Sequence, residues 1–263
     1  MTAAPAPDSA PPVPGSVRRV TDPLAQLLDL PGVEDAVRVA RESVADVHRH
    51  PTNRRGWPAT AAEASVRAAR SSAVIDGGGA EIPETGEVTD PILAGSLRVA
   101  EAIGPLLPTW ERAPLQALAK LHMLAAADLV DGEALGRPRS GLGIASRLDL
   151  LSGLVAGGSK VAGPVLAAVV HGELMTLAPF GSADGVVARA ASRLTLIATG
   201  LDPKGLAVPE VFYLRRADRY RACADAFASG EPDGVAEWIR FCCEALEAGA
   251  REATSIADAA VSD

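Results

Sequence analysis

The chain has 263 residues and a formal net charge of −8. That is long enough to bury a sizeable core, and too negative to offer a broad basic face to nucleic acid or to an anionic membrane. Apolar residues make up 48% of it but aromatic ones only 3%, so the core has to be assembled from Ala, Leu, Val and Ile. Such small side chains suit closely packed helices, and the scarcity of alternating β-branched and aromatic runs argues against a sheet protein, which leaves all-α as the class implied.

Three cysteines, Cys223, Cys242 and Cys243, show no metal-ligand spacing and read as reduced thiols. The first residues carry no basic start followed by an apolar run, and the apolar stretch 141–170 is interrupted by Arg147, Asp149 and Lys160 before a span of about 20 residues is reached. A soluble, cytoplasmic protein without metal or cofactor is expected.

In chain order, residues 1–20 form an Ala/Pro-rich tail with no apolar period, which reads as disordered. Residues 21–58 hold N-terminal helices at 24–30 and 33–47, separated by Pro31 and Gly32, with His48 and His50 at the second helix's end. An Ala-rich helix over 59–75 stops at Asp76 and the glycines Gly77 to Gly79. After a loop at 77–88, Thr89 or Asp90 and Pro91 open a helix running to Ile103. The next, 115–129, lays Leu115, Leu118, Leu121 and Leu129 along one face with His122 among them, as a core histidine or one that meets a pocket. A turn around Gly136 and Arg139 leads to an apolar helix over 142–155, closed by Gly157 and Gly158.

The most informative stretch follows. Val165, Leu166, Val169, Val170, Leu174 and Leu177 recur at helical spacings and bury a helix over 162–177 on most of its circumference. Pro179, Gly181 and Ser182 break it, and a second helix over 184–199 starts at Asp184. At that position Asp184 reads as an N-cap, accepting from the N–H of Val186 or Val187. Residues 200–210 read as a connector, 216–228 and 234–250 as two further amphipathic helices, and 251–263 as a flexible tail.

The loop from Ala178 to Arg189 resembles the signature of the Fic/Doc (Fido) family in its frame. Pro179, Phe180, Gly185 and Arg189 stand where that pattern has them, with Gly181 between. The slots for the family's His, acid, first Gly, Asn and first Arg hold Ala178, Ser182, Ala183, Asp184 and Val186. Ser72, Asp76 and Gly77 likewise resemble the family's inhibitory helix end, with Asp in place of Glu. The resemblance covers 60–250, and it implies a Fic-like helical domain over 59–250 with little or no β-flap.

Fic enzymes transfer an adenylyl or related group to a protein hydroxyl, with ATP and magnesium bound at that loop. The resemblance therefore implies a vestigial nucleotide loop at Phe180, Gly181, Gly185 and Arg189, and an Asp76–Arg189 ion pair that is regulatory or only structural. His171 lies two turns upstream of Ala178, about 10 Å along the axis, too far to take over the lost base without rearrangement. The leading expectation is a catalytically inactive relative that works by binding an unknown protein partner, with a homo-oligomer open. The alternatives are a residual or altered nucleotide transfer and a plain helical scaffold.

Overall fold

A computed structural model describes residues 22–260; the tail expected over 1–20 and the last three residues lie outside them. Among the described residues there is no strand, and eleven α-helices follow a short 3₁₀ turn, Ala25–Asp29. They are α1 (Val33–Arg49), α2 (Pro51–Arg55), α3 (Trp57–Ile75), α4 (Pro91–Arg112), α5 (Pro114–Ala125), α6 (Ile144–Gly153), α7 (Gly163–Leu177), α8 (Asp184–Ala198), α9 (Pro209–Arg215), α10 (Ala217–Ala228) and α11 (Pro232–Ala259). No helix among the described residues is long and apolar enough to cross a membrane.

α7 is the axis of the bundle. Its residues alternate between two apolar clusters: Val165, Ala168 and Val169 pack with α1, α10 and α11, while Leu166, Val170, Leu174 and Leu177 pack with α4, α5, α6 and α8. A helix apolar all round can only be central. Gly172 is what lets α10 and α11 close on it, since a Cβ there would lie 2.7 Å from Phe227 and from Trp238. The Trp238 indole N–H reaches past it to the Ala168 carbonyl at 2.8 Å, so this core tryptophan is satisfied by α7's own backbone.

Several boundaries differ from the sequence expectation. α4 does not end at Ile103 but runs through Pro105 and Pro108 to Arg112. Both prolines lie on the exposed face, where water can take the freed carbonyls, while Leu106 and Trp110 continue the buried stripe that begins at Val99 and Ile103. α5 stops at Ala125 rather than 129, and Leu129 closes a turn by donating its N–H to the Ala126 carbonyl. The helix expected over 142–155 is α6, shorter at both ends and followed by a π-helical turn, Leu154–Gly158, that Gly157 closes at φ +107. α9 takes over the last two residues of the connector expected over 200–210 and fills the stretch up to the helix expected from 216.

α11 begins at Pro232 and extends to Ala259, so most of the stretch read as a flexible tail is ordered helix. Its late residues are small, which disguised them as fraying. Ala250 and Ala253 pack with Val47 and Leu206, and Ile256 with Ala64, Ala68 and Val208. His48 and His50 tie the other end of this layer: their Nε2 atoms lie 2.9 Å from Asp202 and 3.1 Å from Asp258.

Candidate functional site

The loop between α7 and α8 carries two alanines in left-handed backbone, Ala178 at φ +40 and Ala183 at φ +51. That conformation costs a non-glycine residue about 1–2 kcal/mol, so the surroundings must hold it. Arg139 does much of this. Its N–H donates to the Pro179 carbonyl at 2.8 Å, and its guanidinium donates to the Ala178 and Leu177 carbonyls at 2.8 and 3.1 Å, covering the acceptor end of α7.

Asp184 holds the other side of the loop, and not as the expected N-cap. Ala183 occupies the cap position with no side-chain bond, and Asp184 is the first residue of α8. From there its carboxylate turns back over the loop and accepts the Phe180 N–H at 2.9 Å, with the Gly181 N–H as a second donor. The Val187 N–H is taken instead by the Ala183 carbonyl at 3.0 Å, so Ala183 supplies the cap through its backbone. Burial raises the pKa of this carboxyl, against the lowering pull of the two backbone donors and of Arg139.

Ser182 touches a histidine. Its Oγ lies 3.0 Å from His122 Nε2, and the His122 ring stacks on Phe180 with centroids 4.2 Å apart. The pair looks like a serine activated by its base, but the other ring nitrogen decides otherwise. His122 Nδ1 accepts the Gly136 N–H at 2.9 Å, which places the ring proton on Nε2 as a donor to Ser182. Burial also lowers the His122 pKa, so the neutral ring is favoured. In this tautomer the ring has no lone pair facing the serine.

Behind the loop lies a second group of residues. Arg189, 2% exposed, pairs with Asp76 Oδ1 at 2.9 Å and donates to Ser72 Oγ at 2.8 Å, to the Ser72 carbonyl at 3.1 Å and to the Tyr220 hydroxyl at 3.4 Å. Burial opposes its charge, but the Asp76 carboxylate and Tyr220 outweigh it and raise its pKa, so it stays protonated. Asp76 also lies against the start of α8: a Cβ on Gly185 would come within 2.7 Å of both its oxygens. An anion at that place is favoured by the helix dipole. Gly77, next in chain, ends α3 in left-handed backbone at φ +91.

His171 is fully buried between Tyr213, Tyr220 and Trp238, with Nε2 2.7 Å from the Tyr220 hydroxyl and no partner for Nδ1 among the described residues. Burial and the nearby Arg189 push its pKa down to about 3. It belongs to the core beneath Arg189.

A cleft of about 380 Å³ opens over the start of α8, walled by Asp76, Ile92, Leu129, Met175, Asp184 and Gly185. A larger cavity, about 870 Å³, lies at the opposite end of α7 and α8, but its walls carry both signs of charge, Arg41 and Lys160 with Glu111, and select no ligand class.

No family model matches the sequence, and no curated protein matches it. Solved structures do match. A Fic family protein from Desulfovibrio desulfuricans G20 is 20% identical, with a TM-score of 0.64 over 86% of this chain and 74% of that one. Fic-1 from C. elegans is 16% identical, with a TM-score of 0.70 over 90% of this chain and 74% of its own. The chain has the Fic fold.

On that Fic fold the structure brings Ala178, Phe180, Gly181, Ser182, Ala183, Asp184 and Gly185 into one loop, with Asp76 and Arg189 paired beside it and Val186 turned into the core at 3% exposure. These residues do not fit a nucleotide and its magnesium. Two of the loop's donors are taken by Asp184, the acid's place is a serine bound to a histidine, and the first arginine's place is a buried valine. Sequence reasoning left the role of His122 open and gave Arg139 no role. Gly136 and Arg139 stood in the sequence as a turn, but nothing in their spacing indicated that this turn would sit against 177–179 and position the ring.

Proposed function

We propose that this Fic-fold chain acts by holding another protein and not by moving a nucleotidyl group. The observation that carries the reading is the Asp184 carboxylate inside the loop, on the Phe180 and Gly181 N–H groups. A phosphate needs such donors free, and would meet a carboxylate at close range instead. With Ala178 in place of a base, a contribution of about 10²–10⁴ to any transfer is also missing.

Incubation with ATP labelled on its α-phosphate and with magnesium tests this, using the wild type, Asp76→Gly and Arg189→Ala. No label above the Arg189→Ala level is expected on this protein or on added protein substrates, even with the ion pair opened. Calorimetric titration of the wild type and of Ala178→His with ATP and magnesium should give only millimolar or weaker binding, because lost groups that act together are not repaired singly. Label transfer by Asp76→Gly, or micromolar binding by the wild type, refutes the reading.

A further inference from the structure

One surface groove stands out by its charge. It has a volume of about 540 Å³ and lies between α9 and α11, walled by Phe212, Arg215, Arg216, Arg251, Glu252 and Ser255. The protein as a whole has a net charge of −8, yet this groove gathers three arginines. Arg215, Arg216 and Arg251 are all exposed, and no carboxylate of a described residue lies within 4.0 Å of them, although Arg251 acts on Glu247, one turn back on α11, and favours its charged form. The carboxylate in the groove does not neutralise them: Glu252 is held by Arg67 at 2.6 Å. Some other surface arginines are paired, Arg38 lying over Asp35 and Glu42 and Arg219 over Glu244. Arg54, Arg55 and Arg112 are exposed without an ion pair as these three are, and what sets Arg215, Arg216 and Arg251 apart is that they line one groove. Interaction with a helix C-terminus accounts in part for Arg215, in the last turn of α9, but not for Arg251, which is well inside α11. The floor is firm, because Phe212 packs on Phe241 with ring centroids 5.5 Å apart.

We infer that this groove receives an acidic peptide segment of a partner protein, two or three of its carboxylates bound by the guanidinium forks of Arg215, Arg216 and Arg251. The fork geometry matches carboxylate and phosphate oxygens in pairs. The groove is short, and the rest of the surface is negative, so a long polyanion such as nucleic acid is repelled beyond the few charges the groove can neutralise. The inference rests on the binding function proposed above and names its partner class.

Fluorescence anisotropy with the full chain tests it, using a labelled Gly/Ser peptide bearing four glutamates, without nucleotide. Saturable binding that weakens with added salt is expected. The same peptide with glutamines should not bind. Each removed guanidinium should weaken binding about three- to fivefold, so Arg215→Ala/Arg216→Ala/Arg251→Ala should lose about thirty- to a hundredfold with an unchanged melting temperature. Arg112→Ala, exposed on α4, should lose nothing. If the triple variant unfolds, Arg251→Glu alone must show the loss. Tighter binding of a phosphoserine version supports the groove and identifies the source of the oxygens. Absence of wild-type binding, equal binding by the triple variant, or equal competition by a single-stranded DNA of the same charge overturns the assignment. Because ATP is absent, such a failure says nothing about nucleotidyl transfer, and label transfer from ATP would in turn leave the groove standing.

Discussion

The ion pair of Asp76 with Arg189 and the loop from Ala178 to Asp184 are neighbours at the start of α8, and they have fared differently. Around Arg189 each nitrogen has a partner and the guanidinium is 2% exposed. In the loop two alanines sit at positive φ, and the backbone donors are met by a side chain from the loop itself. The contrast shows which parts of a site can change at small cost. A buried charge cannot lose its partner without leaving the other uncompensated, whereas loop side chains at the mouth of a cleft can be exchanged one at a time.

The sharpest way to break this contrast is to remove the carboxylate. Asp76→Ala should lower the unfolding free energy by about 3 kcal/mol in a urea titration, because Arg189 keeps its charge in a dry site. The double variant Asp76→Ala/Arg189→Met should recover part of that loss; a double variant that loses as much as the two singles added together, or more, would mean that the pair is not a unit.

A smaller effect follows from His171 beneath the pair. Its pKa in the folded protein is about 3 against an ordinary 6.5, so below pH 6.5 the unfolded chain takes up a proton that the folded one refuses. Stability therefore falls as pH drops through that window towards 3, by about 2 kcal/mol at pH 5. The His171→Phe variant should flatten this part of the stability–pH profile, and an unchanged slope would place the titration elsewhere.

The smallest effect belongs to the loop. Ala178→Gly and Ala183→Gly should each stabilise by about 0.5 kcal/mol, the relief of left-handed strain less the added freedom of the unfolded chain. A loss of stability in thermal melts would show that the methyl groups pack for more than the strain they cost.

The helix-loop-helix at the centre was legible because its signals are local. An apolar stripe, a Pro-Phe-Gly break and an acid at the next helix start suffice to place α7 and α8. The pairing of Asp76 with Arg189 was legible only through family resemblance, since 113 positions separate the two and no periodicity links them. Asp184 was misjudged because its role depends on which helical position it occupies, and a shift of one residue turns a cap into a loop clamp. His122 stayed ambiguous for a different reason. Its partners, Gly136 and Ser182, arrive from two other segments, and only the folded chain decides which nitrogen bears the proton. The run of α4 past two prolines and the order of α11 beyond 250 were both hidden by residue types that signal an ending when solvated, and do not when their neighbours bury a continuous stripe.

The sharing of α7 between two clusters also bears on how the chain is made. Val33, Val37 and Ala40 of α1 belong to the same cluster as Trp238, Ile239 and Phe241 of α11, so this half of the core joins segments about 200 positions apart. On the ribosome α1 and α7 emerge well before α11 and must wait with apolar faces uncovered. The half built on α4, α5, α6 and α8 can condense around α7 first, leaving α11 to close the other side once translated. Long-range closure of this kind slows folding, and it leaves the apolar faces of α1 and α7 open to association until α11 arrives.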